Sequence, residues 1–206
     1  MLKRVRILAI LAAAAIPLAL SITPAHAADT LDPIYFQNQW NDKCADLPNY
    51  GAPAVDAPVT QYTCNTTTSD NQIWYMQPTR VVNGFQLYRF QLYKGGQCMD
   101  LPNYGSDSAG THVEVHACAS NPAADNQEWY LSYVSNAALG GQSYLGSGYE
   151  VINYQDGFCL DVSGWAGNFS DGANNLPLTV YPCYDSTWGN NGYDDHVWDL
   201  DAVYLP

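Results

Sequence analysis

Basic residues are scarce in this chain: Lys and Arg number seven among 206 residues, against 20 Asp and Glu, for a net charge of −13. Phosphate recognition needs clustered cations, so nucleic acid is excluded as a partner. The close Cys-x-x-Cys pairs of zinc sites are missing, as is the dense set of oxygen ligands that calcium prefers. No metal and no cofactor are therefore expected. The chain also lacks a Gly-x-Ser-x-Gly elbow, and no segment beyond its first residues is apolar enough to span a bilayer. Long segments with a 3.6-residue apolar period are absent as well. What is plentiful is Tyr and Gly, 16 of each, and Pro, 12. Short segments dense in Val, Ile, Tyr, Phe and Thr alternate with clusters of Gly, Pro, Asn and Asp, which is the pattern of an all-β chain.

At the start, Lys3, Arg4 and Arg6 precede an apolar run from Ile7 to Leu20, and Ala25-His26-Ala27 supplies small residues for cleavage. This predicts a secretory signal peptide over residues 1–27, a domain over 28–206, and a secreted, extracellular product. A membrane-spanning helix needs about 20 apolar residues, and this run is shorter and interrupted by Pro17. Cleavage removes three of the seven basic residues and no acidic one. The acidity that remains is read as a device for solubility.

The chain repeats itself. Cys44-Ala45-Asp46, Cys64 and Gln72-Ile73-Trp74 are followed by Cys98-Met99-Asp100, Cys118 and Gln127-Glu128-Trp129, then by Cys159-Leu160-Asp161, Cys183 and His196-Val197-Trp198. The hexapeptide Asp-Leu-Pro-Asn-Tyr-Gly occurs verbatim at 46–51 and 100–105. Such a period marks units that bury their apolar faces against one another, here repeats of about 34–80, 86–134 and 149–206 within one domain. Six cysteines in an exported chain imply three disulfides, and the repeat favours Cys44–Cys64, Cys98–Cys118 and Cys159–Cys183, each inside its own unit.

Within the second repeat, strands are predicted near Phe90–Tyr93, Gln97–Leu101, Thr111–Ala117 and Gln127–Leu131. In the first they are predicted near Tyr35–Gln39, Cys44–Leu47, Val59–Thr63 and Gln72–Met76. Four strands per repeat make twelve. Insertions fall in connectors, at Ser135–Gly148, Ala166–Leu176 and Tyr184–Tyr193. Along the third strand, side-chain alternation points Val59, Val113 and Leu178 one way. Thr60 and Tyr62, Glu114 and His116, and Thr179 and Tyr181 point the other way, free for a ligand. Gln61 breaks the apolar pattern where Val115 and Val180 stand in the other repeats.

Cys-x-Asp and an aromatic residue two positions before the second cysteine in three copies, with Asn-Gln-x-Trp in the first two and Asp-His-Val-Trp in the third, resemble the ricin B-type lectin family, the QxW β-trefoils. The resemblance implies a six-stranded barrel capped by three hairpins, with pseudo-threefold symmetry and up to three shallow sugar sites. It implies that Trp74, Trp129 and Trp198 belong to the core. In the first site Asp46 would take adjacent hydroxyls, Tyr62 would stack, Asn71 would bond a hydroxyl, Gln72 would support and Thr60 would sit at the rim. The second repeat offers Asp100, Glu114, His116, Asn126 and Gln127, and the third offers Asp161, Thr179, Tyr181 and Asp195. The third departs from the pattern, because Asp195-His196 replaces Asn-Gln and sets two carboxylates near each other. Tyr50, Tyr104 and Trp165, each four residues after the repeat's aspartate, either extend the rims or pack the loop against its own repeat.

A pyranose has an apolar face for a ring and a hydroxyl edge for a carboxylate or amide, so this constellation suits a sugar. A glycosidase needs an acid and a base facing across one cleft, whereas these aspartates recur once per repeat. The expectation is therefore a non-enzymatic lectin or carbohydrate-binding module recognising glycans or polysaccharide. The alternatives are a secreted protein-binding trefoil such as a protease inhibitor, or a targeting subunit for a separately encoded toxin or hydrolase.

Overall fold

The structure is a computed structural model that describes residues 32–65, 67–135, 147–164, 172–183 and 195–205. The predicted signal peptide, Trp165, the connector 184–193 and most of the connectors 135–148 and 166–176 lie outside the described residues.

The strands are β1 (Asp32–Asn38), β2 (Lys43–Asp46), β3 (Ala57–Pro58), β4 (Thr60–Thr63), β5 (Trp74–Val82), β6 (Phe85–Leu92) and β7 (Cys98–Asp100). They continue with β8 (Thr111–His112), β9 (Glu114–His116), β10 (Trp129–Val134), β11 (Gly148–Asn153), β12 (Phe158–Val162), β13 (Leu178–Pro182) and β14 (Val197–Ala202). Six of them close a ring of antiparallel pairs: β1 with β5, β5 with β6, β6 with β10, β10 with β11, β11 with β14, and β14 back to β1. Three hairpins, β2–β4, β7–β9 and β12–β13, lie over one end of that barrel. This is a β-trefoil, and closing the barrel removes the open sheet edges that an all-β chain must otherwise protect.

Among the described residues there are fourteen strands where the sequence predicts twelve, because the third strand of the first two repeats is divided at Val59 and at Val113. The cause lies on the pseudo-threefold axis. Val59 N–H donates to Val113 O, Val113 N–H to Leu178 O, and Leu178 N–H to Val59 O, each at 2.9 Å. The backbone at these residues satisfies its hydrogen bonds with the next repeat, so the local ladder is interrupted there.

Inside the barrel and under the hairpins lies one core. Trp74, Trp129 and Trp198 are fully buried, together with Phe36, Phe90, Leu101 and Leu160. The Phe36 ring meets Phe90 edge-on at 4.8 Å between centroids, a favoured aromatic geometry. Trp198 Nε1 donates to Leu160 O at 3.0 Å, so the buried indole has its partner. Val59, Val113, Val115, Leu178 and Val180 are all fully buried, and so is Gln61. That amide is accommodated by hydrogen bonds, accepting from Asn41 Nδ2 at 2.9 Å and donating to Ala173 O at 2.8 Å.

Three disulfides join Cys44–Cys64, Cys98–Cys118 and Cys159–Cys183, with Cα atoms 4.9, 5.0 and 4.9 Å apart. Each pins the start of the Cys-x-Asp strand to the end of the strand beside it. The verbatim hexapeptide folds the same way twice: Asn49 and Asn103 both take the left-handed conformation, at φ 72° and 71°. Asn tolerates that region better than other side-chain-bearing residues, so the repeated Pro-Asn pair turns the chain off β2 and β7 alike.

Candidate functional site

Each hairpin presents the same face. Asp46 on β2 stands opposite Thr60 on β4, Asp100 on β7 opposite Glu114 on β9, and Asp161 on β12 opposite Thr179 on β13. Two residues farther along, Tyr62, His116 and Tyr181 stand opposite the cysteines Cys44, Cys98 and Cys159. A side-chain period of two puts each acid and its ring on one side of the hairpin as diagonal neighbours.

Burial separates their roles. Asp46, Asp100 and Asp161 are buried, whereas Tyr62 and Tyr181 are 38% and 45% exposed and the His116 side chain 37%. Each face is thus a sunken carboxyl beside a ring open to solvent. Tyr50 and Tyr104 stand out farther, at 69% and 72% exposed. Thr60 and Thr179 are buried rather than at an open rim. Thr60 Oγ1 points to Asp46 O at 3.5 Å, and Thr179 Oγ1 donates to Asp161 Oδ2 at 2.5 Å. Glu114 is half-buried.

The Asn-Gln pairs form the wall. Gln72 Oε1 accepts from Asn65 N at 2.7 Å and its Nε2 donates to Thr63 O at 3.2 Å. Gln127 repeats this with Ala119 N at 2.9 Å and Ala117 O at 3.0 Å. Both glutamines therefore hold the chain beyond the aromatic strand. Asn71 Nδ2 donates to Gly51 O at 3.2 Å, and Asn126 Nδ2 to Gly105 O at 3.2 Å and Asp107 Oδ2 at 3.3 Å. The asparagine amide groups thus fasten the loop that carries Tyr50 or Tyr104. Among the described residues, Asn71 Oδ1, Asn126 Oδ1 and Asp100 Oδ1 are buried acceptors that receive no hydrogen bond. A hydroxyl donor at these atoms would meet that need.

Burial pushes the Asp46 carboxyl up to about 7; a hydrogen bond from Gln72 opposes the rise and the Asp70 charge adds to it. Burial likewise lifts Asp100 to about 7, reinforced by Asp125 and opposed by a hydrogen bond from Gln127. Desolvation disfavours the charged form, and a neighbouring acid does the same. Asp70 and Asp125 accept from the backbone N–H groups of Asn71 and Asn126, both at 2.9 Å. The sequence reading does not include these two acids, although an Asp immediately before Asn-Gln in both repeats is the signal that could have found them.

In the third repeat Asp195 and His196 occupy the Asn-Gln positions, and both are buried. His196 Nε2 lies 3.4 Å from Asp161 Oδ1, and Nδ1 lies 3.8 Å from Asp195 Oδ1. Two props from neighbouring strands also escape the sequence reading. Asn153 Nδ2 donates to Asn126 O at 2.7 Å, and Asn38 Nδ2 donates to Asp195 O at 2.6 Å. These stand at equivalent positions of β11 and β1, where the second repeat has Leu92.

A barrel closed by three equivalent hairpins, each bearing an acid and a ring on its outer face, defines the class as a repeat trefoil with three equivalent faces. The chain belongs to the ricin-type β-trefoil lectin domain family, whose model matches residues 32–143. Solved structures extend the fold match over most of the chain. The designed threefold-symmetric protein ThreeFoil is 19% identical, with a TM-score of 0.59 over 84% of this chain and 99% of its own. The Rhizoctonia solani agglutinin is 18% identical, with a TM-score of 0.56 over 84% and 96%. The Haemophilus ducreyi cytolethal distending toxin is 15% identical, with a TM-score of 0.56 over 85% and 86%. No curated protein is matched by the sequence.

Proposed function

We propose that this protein is a secreted lectin or carbohydrate-binding module that holds glycans or polysaccharide at shallow sites, one on each hairpin, without catalysing a reaction on them. The observation that carries the reading is the recurrence of a buried carboxyl beside an exposed ring on the same face of three hairpins. The ring takes the apolar face of a pyranose, and the carboxyl with the asparagine Oδ1 takes its hydroxyl edge. In the first site these are Tyr62, Asp46 and Asn71, with Tyr50 at the rim; in the second, His116, Asp100, Asn126 and Glu114. The third uses Tyr181 and Asp161, with Asp195 in place of the amide.

Gln72 and Gln127 hold each wall from behind. Thr60 and Thr179 steady the aspartates rather than meeting ligand. Three disulfides suit an oxidising, extracellular setting. A second element of the reading is a targeting role beside a separately encoded partner, with which a fold shared with a cytolethal distending toxin is compatible. A glycan array on the mature protein tests the central claim. Binding to a defined set of glycans is expected, and it should be abolished when Tyr62, His116 and Tyr181 are all replaced by alanine. Unchanged binding in that triple variant would place the sites elsewhere on the molecule.

A further inference from the structure

At two adjacent positions the third repeat abandons what the other two share: Asn71-Gln72 and Asn126-Gln127 become Asp195-His196. Each change replaces an amide with a group whose lone pairs ligate metals, a carboxylate and an imidazole. The aspartate common to all repeats is retained as Asp161, and folding brings the three side chains together. Asp161 Oδ1 and His196 Nε2 are 3.4 Å apart, close to the spacing of two ligands on one tetrahedral ion with bonds of about 2.0–2.2 Å. One ligand atom from each of Asp161, Asp195 and His196 lies within 4.8 Å of the others. All three residues are buried, at 6%, 1% and 7% exposure.

We propose that Asp161, Asp195 and His196 form a binding site for a divalent transition metal, zinc by its donor set. One nitrogen and two carboxylate oxygens suit zinc, whereas calcium takes six to eight oxygens. A carboxylate that ligates a metal is ionised, so two such ligands bring the charge that a dication matches. The surroundings orient the ligands, as the outer shell of a metal site does. Thr179 Oγ1 donates to Asp161 Oδ2 at 2.5 Å, on the oxygen away from His196, and Asn38 Nδ2 holds the Asp195 carbonyl at 2.6 Å. Three protein ligands leave a further coordination position for water. The Tyr181 ring, with its centroid 6.5 Å from that of His196, stands beside the site. Cysteine spacing and calcium-type ligand sets, on which the expectation of no metal rests, do not register three ligands assembled only by folding.

The test uses the untagged full chain, stripped with EDTA and dialysed, then titrated with ZnCl2 by calorimetry and with CoCl2 by visible absorption. One zinc site of micromolar affinity or tighter is expected, with cobalt d–d bands from a site of low coordination number, and CaCl2 should not compete. The double variant Asp195→Asn with His196→Gln restores the amides of the other repeats, so it should keep the fold. Its zinc affinity should fall by about a hundredfold or more. His196→Gln alone is a milder second variant and should remove the cobalt bands. Absence of zinc binding and of cobalt bands in the unaltered chain would overturn the proposal. So would zinc binding unchanged in either variant, which would mark the cluster as a hydrogen-bonded Asp–His–Asp network only.

Discussion

The Lys94 ammonium donates to the backbone oxygen of Tyr50 at 2.7 Å and to that of Ser69 at 2.6 Å. A turn of the second repeat thereby holds the two loops that frame the first site. Gly95 reinforces the contact, since a Cβ at that position would come within 3.2 Å of Ala52. The second site is hung on the third repeat in the same manner: Asp107 N donates to Asp156 Oδ1 at 2.7 Å. Lys94→Met should therefore loosen the Tyr50 loop. A hydrogen bond to a charged but partly solvated group contributes roughly 1 kcal/mol, so sugar affinity at the first site should drop about fivefold. Lys94→Arg should recover part of it, and the second site should not change. Titration of single-site variants makes the comparison, and an equal loss at both sites would show a global effect instead.

Acidity should move stability and binding in opposite directions. Asp46 and Asp100 ordinarily titrate near 3.8, and burial raises both to about 7 in the folded chain. Between those limits the folded state holds protons that the unfolded state has released, so stability falls as pH rises through this window and levels off above about 7. Sugar binding follows the ionised carboxylate, the stronger acceptor, and so weakens as pH falls below about 7. Melting temperatures and affinities at pH 5 and pH 8 check both trends. The double variant Asp46→Asn with Asp100→Asn should flatten both profiles over this range.

Reduction of the disulfides should lower the melting temperature sharply. The bonds close loops with sequence separations of 20, 20 and 24 residues. In the chain-entropy model each stabilises by roughly 3 kcal/mol. Because the bonds lie within repeats, serine replacement of a single pair should weaken the domain without abolishing folding. Thermal melts of the three pairwise variants measure this.

Repetition made the barrel and the disulfides legible in the sequence, because cysteine, aspartate and tryptophan return at fixed offsets. Alternation along the third strand likewise placed Val59, Tyr62, Val113 and Leu178 by face. What it could not supply were relations between repeats. The break at Val59 and Val113 arises from backbone bonds around the central axis, and no side-chain pattern records those. Gln61 looked out of place among valines because its partner Ala173 O lies 112 residues away. Asn71 reads as a sugar ligand from its motif, yet its amide group is engaged by Gly51 O, a carbonyl presented by loop geometry. The buried state of Thr60 and Thr179 follows from the strand edge meeting the next repeat, as in the bridge between Thr60 and Pro177.

The sharpest test of the functional reading is a division of labour between core and face. Trp74→Ala removes a fully buried indole and should cost roughly 3–5 kcal/mol of stability. Tyr62→Ala removes a ring that is 38% exposed on the outer face and should leave the melting temperature nearly unchanged, since such surface changes usually fall within about 0.5 kcal/mol. Its effect belongs to ligand. In titration with a monovalent sugar, Tyr62→Ala should remove one site and leave the affinity of the remainder intact. On an immobilised polysaccharide the loss should be much larger than one site's share, because shallow sites acting together gain avidity through effective concentration. Calorimetry with free sugar, set beside retention on the polysaccharide, separates the two quantities. Equal proportional losses in both formats would mean that the sites act singly and that the threefold arrangement serves the fold rather than the surface it meets.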